Sequence, residues 1–182
     1  MREIHLTQGK IAIVDDADHE YLSQFHWVTH KKRGTYYALR ATKRPDGKKT
    51  LIYMHREILG MADPKVFVDH IDHDGLNNSR GNLRTCTHRE NKRNIGKLRT
   101  NTSGYKGVSW HKERRRWCSA IKVNGKNISL GGFKSKDDAA RAYNVAAIKY
   151  FGEFAYVNVI ESDLSMVKDA AAQLIQTERQ PA

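Results

Sequence analysis

Val66 to Ile95, VFVDHIDHDGLNNSRGNLRTCTHRENKRNI, gathers acids, imidazoles and amides where a small domain would ordinarily place its core. Val66, Phe67 and Val68 have the character of a short buried strand, which carries Asp69 and His70 to its end just before the turn-rich run Asp72 to Gly81. Asn82 to Cys86 can make a returning strand. Thr87, followed three residues later by Glu90, has the capping-box pattern of a helix start. The order is therefore strand, loop, strand, helix, and Asn91 falls in the first turn of that helix. Asp69, His70 and Asn91 can then converge. Asp and Asn offer the hard oxygen donors that magnesium or manganese prefers, and His is suited to take a proton from water near neutral pH. The chemistry this implies is metal-assisted hydrolysis.

Asp, Asn and Gly together usually mean only a solvated turn, and Asp72, Asp74, Asn77 and Asn78 are read that way. Asp72 and His73 also stand close enough to the site to support it. The acidic run lacks the alternate ligands and terminal glutamate of a calcium loop, so calcium is set aside.

The spacing Asp69-His70, Asn82 twelve residues after the histidine and Asn91 nine further on resembles the HNH nuclease motif, in the form found in phage and intron homing endonucleases. The resemblance implies a ββα-metal core over 66–95 within a nuclease domain spanning 1–95. It implies that Asp69 and Asn91 hold one Mg2+ or Mn2+ ion, that His70 is the general base, and that Asn82 ties the hairpin and orients the base. A similar Met-His-Arg stretch precedes the core in that subgroup, which makes His55 and Arg56 further candidates near the phosphate.

Thirty-two Lys plus Arg against twenty Asp plus Glu leave a net charge of +12. Such an excess favours a polyanion, with nucleic acid ahead of an anionic membrane. No apolar run is long enough to span a bilayer, and the start Met-Arg-Glu-Ile-His lacks the apolar core of a signal peptide, so a cytoplasmic location in a bacterial or phage-infected cell is expected. Cys86 and Cys118 are the only cysteines, which disfavours a disulfide framework or a cysteine-rich zinc site. Up to about Arg44 the chain alternates runs such as Ile11–Val14 and Tyr36–Leu39 with polar turns, giving short strands around one helix, with Phe25 and Trp27 in the core. Thr50 to Met54 reads as a strand entering a helix that ends near Gly60.

Beyond the core, 96–102 is polar and basic like a linker. Gly104–Trp110, Arg116–Val123 and Asn127–Phe133 are three strand-like runs, with Asn124-Gly125 as a hairpin turn. Ser135 is placed to cap a helix in which Ala139, Ala142, Tyr143, Ala146, Ala147 and Tyr150 recur at helical spacing as far as Gly152. Tyr105-Lys106-Gly107-Val108, Trp117, Leu130-Gly131-Gly132-Phe133, Ala139 to Asn144 and Asn158 resemble the APETALA-type, ethylene-response-factor DNA-binding domain, here over 103–160. That family lays its sheet in the major groove. The resemblance brings Lys106, Ser109, His111, Arg116, Lys122, Asn127 and Ser129 near its contact positions, and Trp110, Arg114 and Arg115 join them as a basic and aromatic surface. Between Gly96 and Glu161 thirteen Lys plus Arg face five Asp plus Glu, so most of the excess charge lies here. The remainder, 161–182, has the pattern of an amphipathic helix, with Leu164, Val167, Ala171, Leu174 and Ile175 on one face.

The expected architecture is α+β: an N-terminal nuclease, then a three-stranded antiparallel sheet packed on one helix. The expected function is a monomeric, metal-dependent endonuclease acting on double-stranded DNA without a membrane. The alternatives are a DNA-binding regulator that keeps an inactive nuclease scaffold, and an RNA-binding protein using the same basic surface.

Overall fold

The computed structural model describes residues 1–32 and 34–164. It is a mixed helix and strand protein that divides into two compact units, Met1–Asn94 and a second from Ile95 onward. The polar stretch from Gly96 is thus counted with the second unit. The helix expected over 161–182 lies, beyond Leu164, outside the described residues.

In the first unit, β1 (Arg2–His5) and β2 (Ile11–Val14) form an antiparallel hairpin. α1 (Asp16–Leu22) follows, with Asp16 and Asp18 in the first turn where the helix dipole favours acids. β3 (Val28–Lys32), β4 (Thr35–Lys43) and β5 (Lys49–Tyr53) make an antiparallel sheet in that order, and β5 runs directly into α2 (Met54–Ile58). One core joins these pieces, from Ile4, Ala12, Val14, Leu22, Trp27, Ala38, Met54, Ile58 and Leu83. Trp27 is the largest fully buried side chain, and its indole N–H donates to the Leu22 carbonyl at 2.8 Å, which satisfies the one polar atom that side chain brings into the core.

β6 (Phe67–His70) pairs antiparallel with β7 (Leu83–Cys86), so Asp69 and His70 are the last two residues of their strand. α3 (His88–Asn94) begins with the expected capping box. Glu90 accepts from both the N–H and the hydroxyl of Thr87 at 2.8 Å, and Thr87 Oγ1 accepts from Glu90 N at 3.2 Å. The loop between β6 and β7 does not wander in solvent. Ile13 N donates to Leu76 O and Asn78 N donates to Ile13 O, which adds the loop to the free edge of β2. Gly75 is required by this packing, since a Cβ there would lie 2.4 Å from the Tyr36 carbonyl oxygen and 2.7 Å from the Tyr37 ring.

The second unit holds β8 (Val108–His111), β9 (Arg116–Val123) and β10 (Lys126–Phe133) in an antiparallel sheet with β9 central, covered on one face by α4 (Lys136–Phe151). Asn124 and Gly125 both take positive φ, 48° and 84°, as a two-residue hairpin turn requires. Ser135 caps α4 by accepting from Asp137 N at 3.1 Å. The buried face of α4 is Ala139, Ala140, Tyr143, Ala146, Ala147 and Phe151. Tyr150 instead faces outward, 41% exposed, because Phe151 one step on takes the inner position at the end of the helix. The Asn144 side chain accepts from Asn158 N at 2.7 Å and donates to Asn158 O at 2.9 Å, and the Asn158 side chain brackets both backbone groups of Lys106. These amides tie the segment after α4 to the start of the sheet.

Candidate functional site

Strand pleating sends the last two side chains of β6 to different neighbours. Asp69, 7% exposed, faces α3 and β7. Its Oδ2 accepts from Arg84 Nε at 3.0 Å and Nη2 at 2.7 Å, and from Asn94 Nδ2 at 2.8 Å. Its Oδ1 accepts no hydrogen bond from the described residues. Asn94 is itself buried and also donates to the His70 carbonyl at 3.2 Å, so one amide clamps the backbone at the strand end. The sequence alone does not single out Asn94, because its partners lie 24 and 25 residues away. Asn91 sits one turn earlier on α3, half-buried, on the same side as Asn94.

His70, 6% exposed, lies among Tyr37, His55 and Asn78. Its ring centroid is 5.0 Å from that of His55 and 5.8 Å from that of Tyr37, and its Nε2 is 3.3 Å from Asn78 Oδ1. Burial lowers the His70 pKa below the usual histidine value, opposed by the Asn78 hydrogen bond and by the carboxylates of Asp72, Asp69 and Asp74. Burial thus favours the neutral imidazole, the form a proton acceptor must take. His55 lies beneath it at 8% exposure, its pKa pushed down to about 3 by burial and then by the neighbouring His70, Arg56 and Lys32.

The loop that carries the remaining polar residues is a closed network. Asn82 accepts from Asp72 N at 3.0 Å and donates to Asp72 Oδ1 and to the Asn77 carbonyl, both at 2.8 Å. Asp72 further accepts from Asn77 Nδ2 and Asp74 N. Burial alone would raise the Asp72 pKa, but these hydrogen bonds outweigh it and hold the carboxyl below its usual value. Arg80 anchors the far end by a two-point pair with Asp18 at 2.7 and 2.8 Å, with Asp15 accepting from its backbone N–H. Asn78, expected in a solvated turn, is wholly buried, because the loop folds onto β2. His73 is exposed with φ 69°.

Arg56 departs from expectation. Its guanidinium donates to the carbonyls of Val66, Met61 and Asp63 at 2.7, 3.0 and 2.6 Å, so it holds the segment between α2 and β6 rather than presenting a charge to a phosphate.

In the second unit, alternation across the sheet separates two faces. Val108, Ser119 and Ile121 turn toward α4 and are buried. Ser109, His111, Arg116, Lys122, Asn127 and Ser129 share the opposite, open face, where the register pairs His111 with Arg116 and Lys122 with Asn127. A shallow concavity on that face is lined by Arg114, Arg116, Cys118, Ser129, Gly131 and Gly132. Arg115 sits in the β8–β9 turn with φ 46°. Two of the expected contacts lie elsewhere. Trp110 pairs with Trp117 on the helix side of the sheet, with ring centroids 5.1 Å apart. The Lys106 ammonium donates to the Ile95 carbonyl and lies over the Tyr156 ring, and burial lowers its pKa to about 8.

Among the described residues no group of three or more His, Cys, Asp or Glu side chains is assembled to hold a metal ion. A smaller donor set suits magnesium, which keeps several waters and takes one or two protein oxygens plus those of a substrate phosphate. Asp69, with one carboxylate oxygen clear of hydrogen bonds, has the chemistry for that role. No helix among the described residues is long and apolar enough to cross a membrane.

Residues 54–93, which run from the start of α2 into α3, match the family described as HNH endonuclease. This segment is thus similar to the HNH endonuclease family. An uncharacterized HNH endonuclease of Acanthamoeba polyphaga mimivirus is 36% identical over 104 residues, covering 57% of this chain and 53% of that protein. Protein 3.8 of Escherichia phage T7 is 41% identical over 71 residues, 39% of this chain and 56% of that one. The chain thus spans about half the length of these viral relatives. An APETALA2-like protein 2 of Oryza sativa subsp. japonica is 45% identical over 65 residues, 36% of this chain but only 15% of the plant protein.

Proposed function

We propose that the chain is a metal-dependent endonuclease that hydrolyses a phosphodiester of double-stranded DNA with a preference for particular sites, in the manner of homing endonucleases. The observation that carries this reading is the buried imidazole of His70, whose burial favours its neutral form, beside Asp69 within the segment that matches HNH endonucleases. In it the core is of the ββα-metal type, Asp69 and Asn91 hold one Mg2+ or Mn2+ ion, and His70 is the base. A cation bound there would supply Lewis-acid stabilisation of the phosphate charge. His70 takes a proton from the attacking water, while Asn82 holds the loop that frames it. Arg84 and Asn94, both bonded to one Asp69 oxygen, aim the other.

The second unit, in this reading an APETALA-type domain, grips DNA through the open face of β8–β10. Arg116 and Lys122 neutralise phosphates, with Arg114, Arg115, His111, Ser109, Asn127 and Ser129 around them. Charge complementarity supports this face, since its exposed side chains include no carboxylate on the strands themselves. Division of labour follows: the sheet supplies affinity, and the first unit supplies chemistry.

Incubating a labelled duplex with the full chain, with and without magnesium, tests the reading. Cation-dependent strand cleavage is expected. Binding without cleavage in magnesium or manganese would leave a DNA-binding regulator on an inactive scaffold, and stronger competition by RNA than by duplex DNA would replace the substrate.

A further inference from the structure

Of the described polar side chains in the first unit, Asn78 is the one enclosed completely, at 0% exposure, and none of the roles assigned above uses it. Its surroundings fix the direction of its amide. Nδ2 donates to the Leu76 carbonyl at 3.1 Å, while the backbone N–H is taken by Ile13 O at 2.7 Å. Turning the amide over would set Oδ1 against the Leu76 oxygen, acceptor against acceptor, and leave the Nδ2 hydrogens without that partner. Oδ1 therefore faces His70, 3.3 Å from Nε2. An amide oxygen can only accept, so Nε2 has to carry the hydrogen.

The other ring nitrogen is in a different position. Nδ1 of His70 makes no hydrogen bond with the described residues. It is also absent from the fully enclosed unpartnered atoms among them, which are Arg40 Nε, His55 Nδ1 and Ser119 Oγ. His55, packed edge to face against His70 at 5.0 Å, closes another side of the ring, and Tyr37 closes a third.

We infer that Asn78 is a positioning residue that holds His70 as the Nε2–H tautomer and so makes Nδ1 the atom that accepts the proton. The tautomer stands on geometry alone; the proton's identity rests on the nuclease reading above. In that reading an O–H bond of water breaks, an Nδ1–H bond forms, and the water oxygen bonds phosphorus as the leaving oxygen departs. Oδ1 accepts from Nε2–H in the neutral ring and in the imidazolium alike, so the base is charged without losing its partner or rotating.

The experiment is a long-range nitrogen–proton correlation spectrum of the histidine rings in the full chain, at a pH where His70 is neutral. The His70 signals are identified by their loss in His70→Gln. We expect a protonated Nε2 and an unprotonated Nδ1; the reverse pattern overturns the inference. Asn78→Leu, which removes the acceptor at similar volume, should shift the ring toward a mixture of tautomers and lower kcat by about ten- to a hundredfold with KM for DNA unchanged. Ring signals unchanged in Asn78→Leu would also overturn the inference. If that variant does not fold, the parent spectrum decides alone. An Nε2–H ring in a chain that cleaves nothing upholds the tautomer while removing the nuclease reading, so the two fail separately.

Discussion

The two units hold their polar residues in opposite ways. Around Asp69 and His70 the polar groups are held by one another, and most are enclosed: Arg84 and Asn94 hold buried Asp69, Asn78 holds buried His70, and Asn82 and Asn77 hold Asp72 at the exposed rim. On the open face of β8–β10, Arg116, Lys122, Asn127 and Ser129 are exposed side chains standing on a sheet whose stability comes from the other face. Enclosure fixes geometry and shifts pKa values, as chemistry needs. Exposure leaves charges free to meet phosphates one by one. Substitutions in the first region should therefore act jointly on stability and rate, and those in the second should act additively on affinity.

The largest effect is expected at the base. His70→Ala should lower the cleavage rate by roughly two to four powers of ten while DNA affinity is kept, since a base acts in the transition state rather than in the bound ground state. Single-turnover kinetics at saturating duplex measure it. Retained turnover would move the base elsewhere, with His73 and His55 the first alternatives.

Asp69→Ala comes next and joins two losses. It removes the proposed cation ligand, and it takes from Arg84, whose side chain is 11% exposed, the carboxylate it is paired with. Breaking a buried pair this way costs about 3 kcal/mol. Calorimetric metal titration should show weakened binding, and denaturant unfolding should show the destabilisation. Asn91→Ala should weaken metal binding with a smaller loss of stability. Unchanged metal affinity in both variants would exclude the ligand pair.

Acid should act on the first unit through His55. Its folded pKa is near 3 against 6.5 for the free side chain, so between those values the unfolded chain binds a proton that the folded chain refuses. Its contribution to stability is whole above about pH 6.5 and is lost as pH falls toward 3, by roughly 1.4 kcal/mol for each pH unit. His55→Phe should flatten the fall in melting temperature on acidification. A parent and variant with parallel pH profiles would mean that His55 is protonated in the folded chain.

The smallest effect per residue belongs to the open face. Replacing Arg116 and Lys122 by Ala should make the slope of log affinity against log salt shallower by roughly two units, one for each phosphate that is no longer neutralised. Replacing Arg56 should leave that slope alone, because its guanidinium is spent on three carbonyls. A parent-like slope in the double variant would move the DNA surface off this sheet.

What is legible in the sequence follows the same division. Local signals survive folding: the Thr87–Glu90 box, the Asn124-Gly125 turn, the Ser135 cap and the strand that ends at His70 all depend on residues a few positions apart. Asn94 and Asn78 are not legible there because their meaning is tertiary. Asn94 is one of two amides in a polar helix until β6 is laid beside it. Asn78 belongs to an Asp-, Asn- and Gly-rich run that has the composition of a solvated turn, and only the bonds to Ile13 show that it is enclosed. Arg56 and Lys106 mislead in the other direction. A basic residue in a basic chain looks available to a phosphate, and nothing in its neighbours announces that backbone carbonyls already hold it.

The division of labour itself is tested most directly by measuring affinity and saturated cleavage rate in the same samples for His70→Ala and for the Arg116→Ala, Lys122→Ala double variant. The account predicts a crossed result: the first variant keeps the parent affinity and loses the rate, and the second loses affinity and keeps the parent rate once DNA is saturating. Two variants that lose the same quantity, whether rate or affinity, would contradict it.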